Sequence, residues 1–240
     1  MTAPAEPKAS HSQTLSRGIR TLEILADAAA PLTIADLAAR LGVHRSIAYR
    51  ILRTLEDHSL VMRDDSGRVQ PAPGLAALAR GVQRDLQSAA LPELTALANE
   101  LEMSAFVAVW DHHDCITLVT IEPRHGHAAV IQRPGSRHPF SQGAPGIAIQ
   151  SSHTPQEWER LAPHQEYRPA AAAARELGYA TSHDEVINGV SSVAAPLRVP
   201  GQLPAAVAVV YATATRQIDA ETLGRRLADA ASAIERSLGG

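Results

Sequence analysis

A single cysteine, Cys115, stands among 240 residues, so no disulfide can form within the chain and a reducing compartment is the expected setting. Lysine is equally scarce: of 22 basic residues only Lys8 is one, a compositional bias without mechanistic content. Aromatic residues make up 3% of the chain while Ala and Val abound, so any core has to be built from small aliphatic side chains. No run approaches the ~18 apolar residues of a membrane span. The opening MTAPAEPKASHSQ has no apolar stretch of the kind a secretory leader needs. A cytoplasmic protein without a membrane partner is expected. Catalytic signatures are missing too: there is no G-x-S-x-G elbow, P-loop, G-x-G-x-x-G or H-E-x-x-H. No cofactor and no catalytic group is expected, and the chain is not read as an enzyme.

What is present is ordinary globular material, 45% hydrophobic and 20% charged, long enough for two modest domains or one large one. The net charge of −3 hides an asymmetry. Residues 1–90 hold eleven basic against nine acidic groups, and residues 91–240 hold eleven against sixteen. Within the first part, residues 40–53 contain four arginines and no acid. Positive charge confined to one face allows a weakly acidic protein to bind nucleic acid.

That basic stretch lies in Thr33–Arg53, which reads as two short helices joined at Gly42. Thr33 with Asp36 three residues later makes a capping-box start, and Gly42 a C-terminal stop. In the second helix, from about His44 to Glu56, Ile47, Ile51, Leu52 and Leu55 fall on a buried stripe with Ala48 beside them. Arg45, Ser46, Tyr49, Arg50 and Arg53 fall opposite. The DNA major groove admits a helix, and arginine can pair bidentately with guanine. Arg45, Ser46 and Tyr49 are the candidates for base contacts, and His44 at the helix start is a further DNA-binding candidate. Arg50, Arg53, Arg68 and Arg17, near the start of the first helix, are the candidates for phosphates.

The rest of the pattern gives an expected order of elements. Residues 1–13 read as a disordered tail. A first helix covers about Leu15–Ala29, with Leu15, Ile19, Leu22 and Leu25 as its apolar stripe. Runs at 60–63 and 68–70 around Asp-Asp-Ser-Gly read as a hairpin, a wing with Arg63 and Arg68 flanking its tip. Residues 14–74 thus form a winged helix-turn-helix domain and 75–90 a linker helix. Pro92 separates that helix from another at 93–101, which opens a domain spanning 91–240. Strands are expected there at 104–110, 115–121, 127–133, 192–199 and 204–212. Helices are expected at 143–151, 155–161, 170–177 and 219–238. Mixed strands and helices with hairpin turns indicate an α+β class.

Several of these segments share a family likeness. The patterns S-R-G-I-x-x-L-E-I-L and L-T-I-A-D-L-A-A-R-L-G-V-H-R-S-I-A-Y-R-I-L-R-T-L resemble the IclR family of bacterial transcription regulators. So do H-P-F-S-Q-G-A-P-G-I-A at 138–148, E-L-G-Y-A at 176–180 and E-x-x-x-G-V-S-S-V-A-A-P-L at 185–197, in the same order. The resemblance runs from about residue 15 to the end. It implies a winged helix-turn-helix, a linker helix and a GAF-like effector-binding domain. It also implies dimers, often paired into tetramers, that repress or activate catabolic operons in response to small organic acids. A repressor on an inverted-repeat operator is the expectation here.

The candidate effector site follows from the same likeness. Gly143, Ala144 and Gly146 open a helix whose amides could hold a carboxylate, although Pro145 lacks an amide and Ile147 replaces the family's usual lysine. Ser192 falls where many members carry cysteine, and Ser182 or His183 where an acid is common. Phe106, Ala208 and Val210 replace positions that are often polar. These departures point to a ligand with an apolar or aromatic body. The histidine-rich stretches Asp111-His-His-Asp-Cys115 and His125-Gly-His127 read as surface turns, and Cys115 as a small buried residue. A metal-responsive regulator, or an enzyme with an accessory helix-turn-helix bundle, is the alternative reading.

Overall fold

The computed structural model describes residues 12–124, 130, 132–213 and 219–239, and their contacts divide the chain into two units, Met1–Val82 and Gln83–Gly240. In the first unit, helices α1 (Gln13–Ala26), α2 (Ile34–Leu41) and α3 (Arg45–Asp57) precede a hairpin of β1 (Val61–Arg63) and β2 (Val69–Pro71) and a short helix α4 (Gly74–Ala79). Thr33 and Asp36 form the full capping box, and Gly42 closes α2 in the left-handed region. An imidazole caps α3: His44 Nδ1 accepts the Ser46 amide at 3.3 Å. Ile24, Leu37, Ile51, Leu52, Val61 and Val69 lie in the core. Leu32 and Val69 exchange both backbone hydrogen bonds, at 2.9 and 2.8 Å, and so tie the wing to the chain ahead of α2.

The apolar stripe of α1 is the first departure from expectation. The helix starts at Gln13 and ends at Ala26, and only its C-terminal half meets the core, through Thr21, Ile24 and Leu25. Leu15 is 64% and Ile19 51% exposed. Ile47 is exposed as well, because the buried stripe of α3 begins one residue later at Ala48. Of the expected disordered tail, residues 1–11 lie outside the described residues, whereas Ser12 caps α1 and Gln13 begins it.

The second unit contains helix α5 (Arg84–Leu101) and strands β3 (Ser104–Trp110), β4 (Asp114–Ile121), β5 (Arg137–Pro139), β6 (Ala180–His183), β7 (Val190–Leu197) and β8 (Ala205–Ala212). They form one antiparallel sheet in the order β5-β4-β3-β8-β7-β6. Helix α5 and the closing helix α9 (Ala220–Ser237) cover one face, against Val107, Val109, Val193, Val207 and Val209. Helices α6 (Gly143–Ser151), α7 (Pro155–Leu161) and α8 (Pro169–Leu177) cover the other, against Phe106, Ala108, Ala194, Ala208 and Val210. The alternation is the period of two of a strand, doubled because both faces are covered. This is the α+β class that the pattern of elements indicates. Among the described residues no helix is long and apolar enough to cross a membrane.

The expected linker helix at 75–90 is not one helix. The break falls at residues 80–83, where Gln83 takes φ 46°, and α5 runs straight through Pro92. Pro92 is exposed, so the carbonyl it leaves without a helical donor faces water. The expected strand at 127–133 lies partly outside the described residues, at 127–129 and 131. The edge beside β4 is β5. Strand β6 has no counterpart among the expected elements, since four residues, Ala-Thr-Ser-His, carry too little pattern to be read.

Two consequences can be measured. A Cβ at Gly224 of α9 would sit 2.3 Å from the Tyr179 ring. Gly224→Ala should therefore cost about 1–3 kcal/mol in urea unfolding, and most of it should return when Tyr179→Leu is added, because neighbouring sites couple. Asp36, Asp64, Glu157 and Asp219 are all held below ordinary carboxylate values, chiefly by hydrogen bonds from Thr33, Ser66, Thr154 and Thr222 or their backbone. A depressed folded-state pKa gives stability that is present above the ordinary value and lost as pH falls through the folded one. The melting temperature should hold steady near neutrality and drop below about pH 4, with a shallower acid limb in Asp219→Asn.

Candidate functional site

Helix α3 sorts its side chains into two populations. Ala48, Ile51, Leu52 and Leu55 are buried, while Arg45, Ser46, Tyr49, Arg50 and Arg53 are exposed. Among the described residues, none of Arg45, Arg50 and Arg53 has an ion-pair or side-chain hydrogen-bond partner. Arg63 behaves differently. Expected at the wing tip, it folds back, its Nε donating to Glu56 Oε1 at 2.6 Å while its guanidinium lies 5.8 Å from the Tyr49 ring centroid. It steadies Tyr49 and gives up its charge internally. The Ser46 hydroxyl is 2.9 Å from His44 Nδ1, so these two share the helix start.

The wing adds little positive charge. Asp64 Oδ1 accepts the Ser66 amide, the Ser66 hydroxyl and the Arg68 amide, which builds the turn. Arg68 is exposed and donates to the Pro31 carbonyl at 3.4 Å. Arg17 sits within α1, half-buried, and with Arg50 borders a groove floored by Leu15, Ile19, Leu22 and Ile47. Among the described residues, helix α3 thus carries three unpaired guanidinium groups on one face, more than any other helix of this unit.

In the second unit the start of α6 is the focus. Every residue of that helix is buried, and Gln142 offers no side-chain cap, so the first amides need partners from elsewhere. The Gly143 amide donates to Glu185 Oε2 at 2.8 Å, and the Ala144 amide donates to Ser182 Oγ at 2.9 Å and Ser192 Oγ at 3.3 Å. The Glu185 carboxylate is paired with Arg168, whose Nη2 lies 3.1 and 2.9 Å from its two oxygens. Register explains the hydroxyls. Ser182, Ser192, Val210 and Ser104 are successive partners across β6, β7, β8 and β3, with Ala180, Ala194, Ala208 and Phe106 in the row two residues away.

Beside this junction lies a cavity of about 230 Å³. Phe106, Val130, Pro145, Val186, Ile187, Val190 and Val210 give it an apolar lining, and Ser182, Ser192 and His138 are among its polar groups. His138 is 8% exposed, and its Nε2 has no hydrogen-bond partner among the described residues. Burial pulls this imidazole below its ordinary pKa, with Asp114 pulling weakly the other way. Gly143 has φ 84°, and a Cβ there would lie 3.1 Å from Val186 Cγ2 and 3.3 Å from His138 Nε2. Its missing side chain lets Val186 and His138 close on this corner.

The structure brings Phe106, Gly143, Ser192 and Val210 together at the cavity and, of the alternatives Ser182 and His183, places Ser182 there. It does not bring His183, whose Nδ1 pairs with Ser191 Oγ at 2.8 Å and whose Nε2 lies 3.0 Å from Asp184, on the other side of β6. Ala144 contributes its amide. Gly146 serves close packing, since a Cβ would lie 2.2 Å from the Phe140 carbonyl. The amides expected to be free at the helix start are occupied by Glu185 and the two serines. Sequence reasoning passed over His138, Glu185, Val186 and Ile187, although each falls inside or beside a quoted motif. In the histidine-rich turn, Asp111 Oδ1 accepts the amides of His113 and Asp114, and the His112 ring lies 5.2 Å from that of Trp110. His125 and His127 lie outside the described residues. Cys115 is buried, and burial drives its thiol pKa far up.

Comparison with known proteins places this geometry. The IclR helix-turn-helix domain profile matches residues 14–65, and the bacterial transcriptional regulator IclR C-terminal profile matches residues 81–236. The glycerol operon regulatory protein of Streptomyces coelicolor is 25% identical over 95% of this chain and 96% of its own length. The structure of an IclR transcriptional regulator from Alicyclobacillus acidocaldarius superposes with a TM-score of 0.78 at 25% identity, covering 96% of this chain and 100% of that one. An IclR homolog from Microbacterium hydrocarbonoxydans, solved in complex with 4-hydroxybenzoate, gives 0.80 at 21% identity over 95% and 99% of the two chains. With both halves matched in order, the protein belongs to the IclR family of DNA-binding transcription regulators.

Proposed function

We propose that this protein is a ligand-responsive repressor of a catabolic operon that binds an inverted-repeat operator and senses a small organic acid with an apolar or aromatic body. The observation that carries the reading is the face of α3, where three arginines without internal partners stand beside Ser46 and Tyr49. Arg45, Ser46, Tyr49 and His44, at or near the start of the helix, are assigned to base edges. Arg50, Arg53, Arg17 and Arg68 are assigned to phosphates. A homodimer, or a dimer of dimers, reads two half-sites related by its own two-fold axis, hence the inverted repeat.

For the effector, the cavity by α6 is the site we favour. At about 230 Å³ it falls below the roughly 300–1,000 Å³ of drug-sized pockets, so the ligand is small. Phe106 and the surrounding aliphatic side chains favour an apolar or aromatic body over a two-carbon acid or a polyol. A carboxylate on that body would take the Gly143 and Ala144 amides, in exchange for Glu185 and the serine hydroxyls. The aromatic acid bound by the Microbacterium homolog supports this choice.

Fluorescence anisotropy with operator-length duplexes tests the first half. Affinity should fall by roughly 10³–10⁵ between 50 and 200 mM salt if six to ten phosphates are engaged. Arg50→Ala should weaken binding to every sequence, and Arg45→Ala should cost about 1–3 kcal/mol at one base position. Absence of binding, or binding indifferent to salt, would refute the assignment of α3. Thermal melting tests the second half: aromatic acids should raise the melting temperature, whereas glyoxylate and pyruvate should leave it unchanged. Stabilisation by the two small acids alone overturns the apolar-ligand reading.

A further inference from the structure

We infer that His44 decides what Ser46 reads: its imidazole holds the Ser46 hydroxyl proton, so Ser46 meets the duplex as an acceptor and selects a base with an exocyclic amino group, adenine or cytosine. The inference rests on α3 entering the major groove. Its starting point is the cap of that helix. The Ser46 backbone amide can only donate, and it donates to His44 Nδ1 at 3.3 Å. Nδ1 therefore presents a lone pair, and the ring proton sits on Nε2. The Ser46 hydroxyl lies 2.9 Å from the same Nδ1. With no proton on that nitrogen, the O–H of Ser46 has to fill the gap, since two lone pairs facing each other would repel. The backbone holds the pair in place, because the His44 carbonyl accepts the Ile47 and Ala48 amides at 2.9 and 3.2 Å.

Both side chains are exposed, and what they offer a partner is opposite in kind. His44 offers the Nε2–H donor, and Ser46 offers oxygen lone pairs with no proton to give. Among the described residues neither His44 Nε2 nor the Ser46 oxygen has a further partner. The three arginines of the face, Arg45, Arg50 and Arg53, only donate. They suit guanine, which shows two acceptors in the major groove, and they suit the phosphates. Adenine and cytosine each present an amino donor there, and an amino group opposite an arginine would set donor against donor. Ser46 is the place on α3 where such a base is accommodated. An unrestrained serine hydroxyl discriminates poorly, because it donates or accepts as the base requires, and the Tyr49 phenol has the same freedom. Giving its one proton to His44 is what makes Ser46 selective.

Selection of binding sites from a randomised duplex pool, by the full-length protein and by Ser46→Ala, locates the base in question as the position whose preference Ser46→Ala loses. In the unaltered protein that base should be adenine or cytosine, favoured over guanine and thymine by roughly five- to hundredfold, the usual range for one mismatched pair. Replacing it by an analogue that lacks the amino group should cost the unaltered protein about tenfold in Kd and Ser46→Ala less than about twofold. His44→Ala should return the hydroxyl proton to Ser46 and shrink the preference to less than about threefold. His44→Asn, whose amide oxygen can accept both hydrogen bonds at the helix start, should keep it. Should His44→Ala not fold, the analogue measurement on the unaltered protein decides by itself whether Ser46 accepts. Guanine or thymine at that position, indifference to the amino group, a preference undiminished in His44→Ala, or no position altered by Ser46→Ala would each overturn the inference and leave α3 as the DNA-reading helix. Enrichment of no sequence by the unaltered protein would remove the α3 reading and this inference together.

Discussion

A helix buried along its whole length has to find partners for its first amides inside the protein, and α6 does so by drawing three side chains from other elements. Glu185, Ser182 and Ser192 come from β6, β7 and the segment between them. Arg168 balances the half-buried Glu185 carboxylate. Arg168 is in turn positioned by α6 itself, because the buried Gln150 accepts its backbone amide at 2.8 Å and donates to the Glu166 carbonyl at 2.9 Å. The ring of contacts closes on the helix that created the need. The cavity lies beside this ring, so capping fixes one end of it, while Val130, Val186 and Ile187 bring the segments between strands to its wall.

The first unit solves the same problem locally and gets a different result. Thr33 with Asp36, and His44 with Ser46, satisfy the helix starts from residues in the immediate chain. No distant carboxylate has to approach α3 for that purpose, and Glu56, towards the end of α3, is paired with Arg63 of the wing. The electrostatic outcome is a helix face whose arginines answer to nothing inside the unit. Such a face costs self-repulsion in the free protein and is relieved by an anionic partner.

Legibility in the sequence followed periodicity. The stripes of α3 and α9, the hairpin and the strands β3 and β8 were readable because each repeats its pattern over enough residues to be distinctive. Pro92 misled because a proline signals a helix end only when its lost hydrogen bond would be buried, and here it faces solvent. Leu15 and Ile19 misled because a stripe records amphipathicity without saying which half of it meets a neighbour. Strand β6 was hidden by its length. His138 was in plain view inside a quoted motif, yet its place at the cavity depends on burial, which a one-dimensional pattern does not carry. The choice between Ser182 and His183 was open in the sequence for a related reason: alternate residues of a strand face opposite ways, and a strand not recognised gives no parity.

Scarcity of aromatics and the register of the sheet together account for where a ligand can fit. Trp110, Phe140 and Trp158 form one cluster, with ring centroids 4.9–5.4 Å apart, and fill the space under α7. That leaves few bulky side chains for the remainder of the face. Beneath the body of α6 the sheet therefore presents Ala180, Ala194 and Ala208 in adjacent strands, beside Phe106, small enough for a fully buried helix to approach. Two residues further along, the same strands present Ser182, Ser192 and Val210, with Ser104 turned to the Val130 carbonyl at 2.8 Å. A band of alanines thus seats the helix and a band of hydroxyls receives its first amides. The cavity lies along the hydroxyl band, and any molecule in it meets an apolar body-wall and a polar corner at once. A two-row pattern in register, rather than any single residue, gives this pocket its amphipathic character.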